Sequence, residues 1–531
     1  MTGGWMVAGA IERFSKTSPS SGTTRAKWFR QFTCLLVVFP GLVLSADPPT
    51  LEMFYPAGGE RGSTNIVSAI GKFDAWPPKV WVSCLGLLFN AETNKGKFFV
   101  SIAPDASPGP RLVRLYNNDG GSEPRFFVVG ETHEIPEIEP NNYFSKPQVI
   151  GEMPVTINGR LDKNGDVDSF GINLRAGQWL EARVDSYTLM AKLDPVLRLV
   201  TTNGQQLAWN HDFITLDPRL VWRAPGNQTV VLQVFAFPYP AENDIRLTGG
   251  DAAVYRLHLA VAGQSPDSPV APTEKEPNNT VENAQQIEMP ATVVGVIGSA
   301  NDEDRFRLTA KKNEMIEAFV EAASFGSPLD AWLKIEDSGG KELARTDDAD
   351  GSRDPRLEWQ APSDGAFVVA VGSTTHRGGE EFRYRLLLRP AKSDFRASLT
   401  SSSLVLTQGM SNELNLNLKR LHHYTNELIA AFRDLPAGVT ATTTNRLQQE
   451  GKISFQVAAA SDAPIFQGPI TLTLMEAETK QERVVPIALT GRTENNGVPG
   501  GYTHLLIESI DQLWLTVRPK PAEAEKSTAK K

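Results

Sequence analysis

A duplicated pattern in the middle of the chain constrains the fold more than any other feature. Five short landmarks recur in the same order in two adjacent segments of similar length. The matched pairs are Glu139-Pro140-Asn141-Asn142 with Glu276-Pro277-Asn278-Asn279, Asp166-Val167-Asp168-Ser169-Phe170 with Asp302-Glu303-Asp304-Arg305-Phe306, Leu193-Asp194 with Leu329-Asp330, Asp217-Pro218-Arg219-Leu220 with Asp354-Pro355-Arg356-Leu357, and Tyr255-Arg256-Leu257 with Tyr384-Arg385-Leu386. Chance does not produce five matches in one order, so the sequence predicts two tandem copies of one domain.

The segments between these landmarks contain the apolar runs of short strands. Residues 230–235 and 367–371 are examples, and the chain's 43 glycines and 36 prolines supply frequent turns. We therefore predict an all-β protein of tandem β-sandwich domains. The predicted boundaries are 49–130 for an immunoglobulin-like sandwich, 134–262 and 273–390 for the two repeats, 394–491 for another immunoglobulin-like sandwich, and 492–531 for a C-terminal strand and disordered tail.

The N-terminal segment is typical of an export signal. Arg25, Lys27 and Arg30 precede an apolar run over 32–44, which small residues and an Asp-Pro-Pro turn follow. The run is shorter than a membrane-spanning helix needs, although an uncleaved anchor is the alternative. We predict a signal peptide over 1–46, no membrane span after its removal, and a periplasmic, cell-surface or extracellular protein. Cys84 would then be the single cysteine, so no intramolecular disulfide is expected.

Charge and motifs limit the function classes. The formal net charge of −9, without a cluster of Lys and Arg, argues against nucleic acid as a partner. The sequence has neither a Gly-x-Ser-x-Gly nucleophile motif nor a phosphate-binding glycine loop, so we predict no enzymatic activity. The expected partner is a protein or a polysaccharide at the cell envelope or outside the cell.

The landmark that opens each repeat carries the residue types of a cation site. Glu137, Glu139 and Asn141 would share one face of an extended backbone, and Asp166 and Asp168 could add ligands. Calcium takes six to eight oxygen ligands from such carboxylates and amides. The alternative is that the acidic residues solvate a surface strand and the asparagines form a turn or a cap.

Aromatic residues offer a second candidate site. Most of them, including Trp209, alternate with polar residues at strand spacing, so we expect core packing. The stretch 235–240 (Phe-Ala-Phe-Pro-Tyr-Pro) is the exception, because it precedes a long loop. If it forms an exposed row that includes Tyr239, the first repeat would be a carbohydrate-binding module.

With the opening Glu-x-Glu-Pro-Asn-Asn, the acidic turn and the closing Tyr-x-Leu, each repeat resembles the bacterial pre-peptidase C-terminal (PPC) domain. The resemblance implies a jelly-roll-like β-sandwich, export, and either no catalytic domain or a neighbouring secreted peptidase. Some members bind calcium through the opening stretch and the later Asp pair. By position, the resemblance implies calcium ligands at Glu137, Glu139, Asn141, Asn142, Asp166 and Asp168, and at Glu274, Glu276, Asn278, Asn279, Asp302 and Asp304.

Two looser resemblances concern the rest of the chain. The first unit looks like the TIG-type immunoglobulin-like sandwiches of exported bacterial proteins, and the whole layout is similar to that of exported planctomycete proteins. Taken together, these features predict an exported, non-catalytic binding or structural protein with calcium as its expected cofactor. The alternatives are an accessory subunit of a secreted peptidase and a carbohydrate-binding module.

Overall fold

The computed structural model describes residues 47–239, 246–266, 273–349, 352–442, 446–490 and 506–520. Throughout these ranges the protein is built of strands, and two short 3₁₀ turns (Tyr187–Leu189 and Ala323–Phe325) are its helical elements there. The predicted all-β class with tandem β-sandwiches is confirmed. The predicted signal peptide over 1–46 and the predicted disordered tail beyond residue 520 lie outside the described residues.

The first sandwich packs two four-stranded sheets on an aromatic core. Its strands are β1 (Met53–Tyr55), β2 (Gly58–Glu60), β3 (Thr64–Ile70), β4 (Lys79–Val82), β5 (Leu87–Ala91), β6 (Lys97–Ile102), β7 (Gly109–Tyr116) and β8 (Arg125–Gly130). The sheet orders are β1-β3-β6-β5 and β2-β8-β7-β4. Phe89 packs edge-on against Phe98 and Phe127, with ring centroids 5.7 and 5.3 Å away. Such aromatic pairs add to the stabilisation that burial alone gives.

The two repeats have the same arrangement of strands. The first contains β9 (Glu134–Pro136), β10 (Gln148–Ile150), β11 (Val155–Arg160), β12 (Asp168–Leu174), β13 (Trp179–Asp185), β14 (Leu193–Thr201), β15 (Gln206–Asn210), β16 (Arg219–Arg223), β17 (Gln228–Pro238) and β18 (Val254–Ala262). The second contains β19 (Gln285–Gln286), β20 (Ala291–Val296), β21 (Glu303–Ala310), β22 (Met315–Glu321), β23 (Ala331–Asp337), β24 (Glu342–Thr346), β25 (Arg356–Gln360), β26 (Gly365–Ser373) and β27 (Arg383–Pro390).

Sheet order shows the duplication directly. The first repeat pairs its strands in the orders β10-β12-β17-β14-β15 and β16-β13-β18-β11-β9. The second repeat has β19-β21-β26-β23-β24 and β25-β22-β27-β20, which is the same order strand for strand apart from β9. Equivalent positions of the two repeats can therefore be compared residue by residue.

The last sandwich contains the C-terminal strands. Its elements are β28 (Asp394–Leu399), β29 (Ser403–Thr407), β30 (Ser411–Leu421), β31 (Leu428–Arg433), β32 (Val439–Thr442), β33 (Arg446–Leu447), β34 (Gly451–Ala459), β35 (Phe466–Glu476), β36 (Glu482–Val484), β37 (Ile487–Thr490), β38 (Leu506–Ile510) and β39 (Leu513–Arg518). The sheets run β32-β34-β30-β28-β37-β38 and β29-β39-β35-β31-β33, with β36 beside β35. The final strand β39 therefore lies inside this sandwich, between β29 and β35.

A buried side chain of the first repeat contacts the first sandwich. Arg256 forms an ion pair of 2.7 Å with Glu134, and their side chains are 1% and 6% exposed. The Arg256 guanidinium also lies against Gly58 of the first sandwich, where any side chain would collide with it. A buried ion pair contributes little to stability in itself, but loss of one partner is costly because a buried charge remains.

The first sandwich also contacts the last one, through Trp514 of β39. The Trp514 ring lies 5.5 Å from Trp81 and 5.4 Å from Tyr116, both in edge-on geometry. Gly121 of the β7–β8 turn lies directly against the indole, and its neighbour Gly120 lies against Pro48. The first and last described segments of the chain therefore meet at one turn. Of the helical segments within the described ranges, none has the length and apolar character to span a membrane.

Candidate cation sites at the start of each repeat

The opening stretch of each repeat is irregular backbone rather than a regular strand. In the first repeat it follows β9 and precedes β10, and the Glu139–Pro140 peptide bond is cis. The equivalent Glu276–Pro277 bond is also cis. The alternation expected for an extended strand does not apply to this segment. The short strands β10 and β19 follow the asparagines.

Three carboxylates of the first repeat meet where this stretch crosses the start of β12. Glu139, Asp166 and Asp168 each place one oxygen within 4.8 Å of the others. Asp166 and Asp168 are almost completely buried, at 1% and 0% exposure. Calcium binds oxygen at 2.3–2.6 Å, so ligands on opposite sides of one ion are about 5 Å apart. The separation of the three oxygens therefore fits a single calcium ion.

The second repeat reproduces this triplet with Glu276, Asp302 and Asp304, also within 4.8 Å. The sequence difference before the Asp pair does not disturb it. Gly165 has φ +85° and its counterpart Asn301 has φ +62°, so both adopt the left-handed conformation. Asparagine tolerates that conformation better than most residues, which explains how the turn survives the substitution.

A buried tyrosine hydroxyl connects the other predicted glutamate to each site. Tyr255 Oη lies 2.6 Å from Asp168 Oδ2 and 3.0 Å from Glu137 Oε2. Tyr384 Oη similarly lies 2.7 Å from Asp304 Oδ2 and 3.1 Å from Glu274 Oε2. A phenol has one proton to donate, so it cannot satisfy two ionised carboxylates at once. Each site therefore needs a further proton or a cation.

The remaining predicted ligands, Asn142 and Asn279, form hydrogen bonds with Asp166 and Asp302, the first aspartate of each Asp pair. Asn142 Nδ2 donates to Asp166 Oδ1, and the backbone N–H of Asp162 donates to Asp166 Oδ2 at 2.7 Å. Asn279 Nδ2 donates to Asp302 Oδ1 at 2.6 Å. The structure thus brings all the predicted residues of each repeat into one cluster. The glutamates Glu137 and Glu274 contact tyrosine in it and lie outside the carboxylate triplets.

Buried polar atoms without partners mark both sites. Asn141 is 0% exposed, and neither its Oδ1 nor its Nδ2 has a hydrogen-bond partner among the described residues. Asp168 Oδ1 is in the same condition, as are the equivalent atoms of Asn278 and Asp304. An unsatisfied buried polar group costs about 1–3 kcal/mol. Amide and carboxylate oxygens are ligands that calcium prefers, so these residues fit the ion that the resemblance implies.

Burial of these carboxylates makes them hold protons in the absence of a cation. Desolvation raises the pKa of Asp168 to about 10, and the charge of Glu137 adds to the effect. The pKa of Asp304 is raised to about 9 for the same reason. Burial raises the pKa of Glu137 to about 7 and raises that of Glu274 as well. A cation at either site would displace a proton from it.

A third group of titratable residues lies where β14 begins and β15 ends. His211 Nε2 is 2.9 Å from Asp194 Oδ1, and His211 Nδ1 is 3.8 Å from Asp212 Oδ2. The hydrogen bond to Asp194 raises the pKa of His211. In the second repeat Asp330 and Asp347 stand at the positions of Asp194 and His211. The histidine cluster therefore belongs to the first repeat alone.

The aromatic residues differ from the expectation drawn from their spacing. Tyr239 is half-buried and packs edge-on against Tyr187, with ring centroids 5.3 Å apart. Trp209, for which core packing was expected, is 60% exposed. An alternating strand shows which residues share a face, but it does not show whether a second layer covers that face. Sequence analysis also missed Tyr255 and Tyr384 at the cation sites, although both belong to the repeated Tyr-x-Leu landmark.

Comparison with known proteins gives partial resemblances. No protein-family model matches the chain. A probable subtilase-type serine protease of Deinococcus radiodurans is 31% identical over 171 residues, which cover 28% of this chain and 22% of that protein. The chain thus spans about a fifth of the length of this curated relative.

Three solved structures also resemble parts of the chain. The pre-peptidase C-terminal domain of a Bacillus anthracis collagenase is 14% identical at a TM-score of 0.17, over 20% of this chain and 94% of that one. The N-terminal eight immunoglobulin domains of Down syndrome cell adhesion molecule are 9% identical at 0.21, over 89% and 57%. The S-layer protein rSbsC is 9% identical at 0.15, over 83% and 54%. These values do not place the chain in a family.

Proposed function

We propose that this is an exported, non-catalytic binding or structural protein whose two repeats are PPC-like domains, each stabilised by calcium. The observation that carries the calcium part is that the Asn141 side chain and Asp168 Oδ1 are buried without partners, while Asp168 belongs to a triplet with Glu139 and Asp166. The same arrangement at Asn278 and Asp304 supports it independently. Six to eight oxygens surround calcium in proteins, and each repeat supplies several from side chains.

In this proposal Glu139, Asp166, Asp168 and the Asn141 amide oxygen hold the ion in the first repeat. Glu276, Asp302, Asp304 and Asn278 do so in the second. Calcium would neutralise the negative charges of the neighbouring carboxylates. Tyr255 and Tyr384 would fix the orientation of the aspartates, since each hydroxyl donates into the cluster.

Elemental analysis of the purified chain tests the calcium part. We expect about two calcium ions per chain, and a chelator should lower the temperature of thermal unfolding because the ion binds the folded state. The double variant Asp168→Asn/Asp304→Asn should bind none. A calcium-free protein whose unfolding is insensitive to chelator would refute this part of the proposal.

The proposed binding role is supported by the succession of β-sandwiches. Its expected partner is a protein or a surface polymer. The four sandwiches account for the described residues, and the predicted signal peptide over 1–46 would direct export. A pull-down from envelope fractions and culture medium tests the role. Failure to retain any protein or polysaccharide would count against it, and retention of the protein in the cytoplasm would exclude the proposed location.

Association with a secreted peptidase is the second candidate. One observation favours it, the similarity of 171 residues to part of a probable subtilase-type serine protease. A generic protein substrate should remain intact with the purified chain alone and be cleaved only when a secreted peptidase co-purifies. Cleavage by the purified chain itself would instead indicate catalytic activity.

A further inference from the structure

The last sandwich contains a cavity whose charged side chains are all basic. Its volume is about 670 Å³, and it lies where β28, β30 and β34 approach the segment 483–486. The charged residues that line it are Arg396, Lys419, Lys452 and Arg483. The chain as a whole has a net charge of −9, so this concentration of positive charge is local. A cavity of this charge attracts an anionic ligand.

Three of the basic residues are exposed on one face of the sheet. The register pairs Arg396 of β28 directly with Lys419 of β30, and Lys452 of β34 lies in the next row, opposite Asn417. In the part of the chain that the structure describes, neither Lys419 nor Lys452 forms an ion pair. Like charges directly opposite each other destabilise a sheet. A carboxylate bound between Arg396 and Lys419 would remove this repulsion.

The remaining wall of the cavity is mostly apolar. Arg483 stands at its end and already has carboxylate partners, Asp394 at 2.6 Å and Glu476 at 3.5 Å. Val484, next to it, is 44% exposed, and Pro486 is exposed as well. The cavity therefore combines a basic side on the sheet with an accessible apolar side at the segment 483–486.

One edge of β28 is open beside this cavity. The strand pairs with β30 along its whole length but with β37 at Leu399 alone. Backbone groups of an antiparallel strand point alternately towards its partner and away from it. The N–H of Phe395 donates to the Asp394 carboxylate and that of Leu399 to the Pro486 carbonyl, so both residues point away from β30. Ala397 lies between them and lines the cavity, and its N–H and C=O meet no strand of the described ranges on that side.

We propose that the open edge of β28 binds an extended segment of a partner protein in which acidic and apolar residues alternate. This inference names the partner class of the binding role proposed above and rests on that role. A peptide that adds to a sheet edge forms main-chain hydrogen bonds, here with Ala397. Its side chains alternate between two faces. Acidic side chains on one face would meet Arg396 and Lys419, and apolar ones on the other would contact Val484.

Two other readings of the basic residues make different predictions. Charged side chains on an edge strand commonly prevent pairing with other chains, and in that case no peptide binds. An acidic polymer without a peptide backbone would use the positive charges but not the N–H of Ala397. The free backbone groups and the apolar wall favour the peptide, because a polyanion needs neither of them.

Fluorescence anisotropy with the full chain tests the inference. The labelled probe is the peptide Glu-Val-Glu-Val-Glu-Val, compared with Lys-Val-Lys-Val-Lys-Val and with hexaglutamate. We expect the alternating acidic peptide to bind at least about tenfold more tightly than either. The double variant Lys419→Glu/Lys452→Glu should weaken its binding at least about tenfold. Lys72→Glu/Lys95→Glu makes the same change in net charge at exposed positions of the first sandwich, and should leave binding unchanged.

A proline substitution separates strand addition from attraction by charge. Ala397→Pro removes the N–H that faces the cavity and leaves the ladder to β30 intact. Proline is tolerated at edge positions of this kind, so circular dichroism should match that of the unsubstituted chain. Peptide binding should nevertheless weaken at least about fivefold. A probe peptide with N-methylated valines should lose affinity in the same way, and this measurement does not depend on the folding of any variant.

Several outcomes would overturn the inference. They are no binding of the alternating acidic peptide, equal binding of hexaglutamate, full binding of the N-methylated peptide, and equal losses in the two double variants. Capture of an envelope protein by the chain, without binding of the acidic peptide, would refute this inference and leave the broader binding role intact. Calcium content should be unaffected by Lys419→Glu/Lys452→Glu, so the metal proposal is tested separately.

Discussion

The buried aspartates predict that calcium controls how the stability of each repeat depends on pH. In the absence of calcium, Asp168 and Asp304 keep their protons in the folded state up to about pH 10 and 9. In the unfolded chain they ionise near pH 3.9. Between these limits the folded state binds more protons than the unfolded state, so the free energy of unfolding falls as pH rises.

The expected size follows from one extra proton in each folded repeat. One proton corresponds to about 1.4 kcal/mol per pH unit, so each repeat should lose about 4 kcal/mol between about pH 5 and pH 8. Glu137, whose pKa is raised to about 7, acts in the same direction over the lower part of this range. For a domain of this size that loss lowers the unfolding temperature by about 10–20 °C. Saturating calcium displaces the protons and should remove most of the dependence.

Scanning calorimetry in chelator and in saturating calcium, at several pH values, measures both effects. Asp168→Asn should remove most of the pH dependence of the first repeat, with the smaller contribution of Glu137 remaining, and leave that of the second repeat. Asp304→Asn should do the reverse. The exposed Asp105→Asn is the control and should change neither. A calcium-free protein whose repeats keep constant stability, or gain stability, from about pH 5 to pH 8 would refute the reasoning.

Three further substitutions test the packing around the sites and between sandwiches. Tyr255→Phe should destabilise the first repeat by about 1–3 kcal/mol and weaken calcium binding, because Asp168 loses a buried donor; urea unfolding compares it with Tyr143→Phe, which is 69% exposed. Arg256→Ala should cost about 3–5 kcal/mol by calorimetry, since Glu134 remains as a buried unpaired charge; an unchanged transition would contradict that role. Trp514→Ala should cost about 3–5 kcal/mol and increase proteolysis of the last sandwich, and unaltered cleavage would show that its packing against Trp81 is dispensable.

The strand content and the duplication could be predicted from the sequence because both are local or repeated signals. The short apolar run at residues 230–235 identifies a strand, and five ordered landmarks identify two copies. The approach of Asp168 to Tyr255 could not be predicted, because 87 residues separate them and the contact depends on how β12 and β18 pack. Asn301 differs in residue type from its counterpart Gly165, yet both residues have the same left-handed backbone conformation.

The two aromatic positions show the same limit. Tyr239 and Trp209 both lie on or beside strands whose alternate residues point to opposite faces of the sheet. The sequence does not reveal at either position which face is covered by other residues. Tyr187 covers Tyr239, while the position opposite Trp209 is occupied by Arg198 and leaves the indole open. Arg345 stands at the position of Trp209 in the second repeat, and this difference becomes visible only after the register of both repeats is known.

The contact of Pro48 and Trp514 with adjacent glycines has a mechanical consequence. Because both segments meet at the Gly120–Gly121 turn, a tether on the chain before Pro48 and another after Trp514 would hold the protein at the same corner. A force applied between these two points would load this small contact first, and would reach the repeats only after it had opened. The cation sites of the two repeats would then remain unstrained under moderate tension.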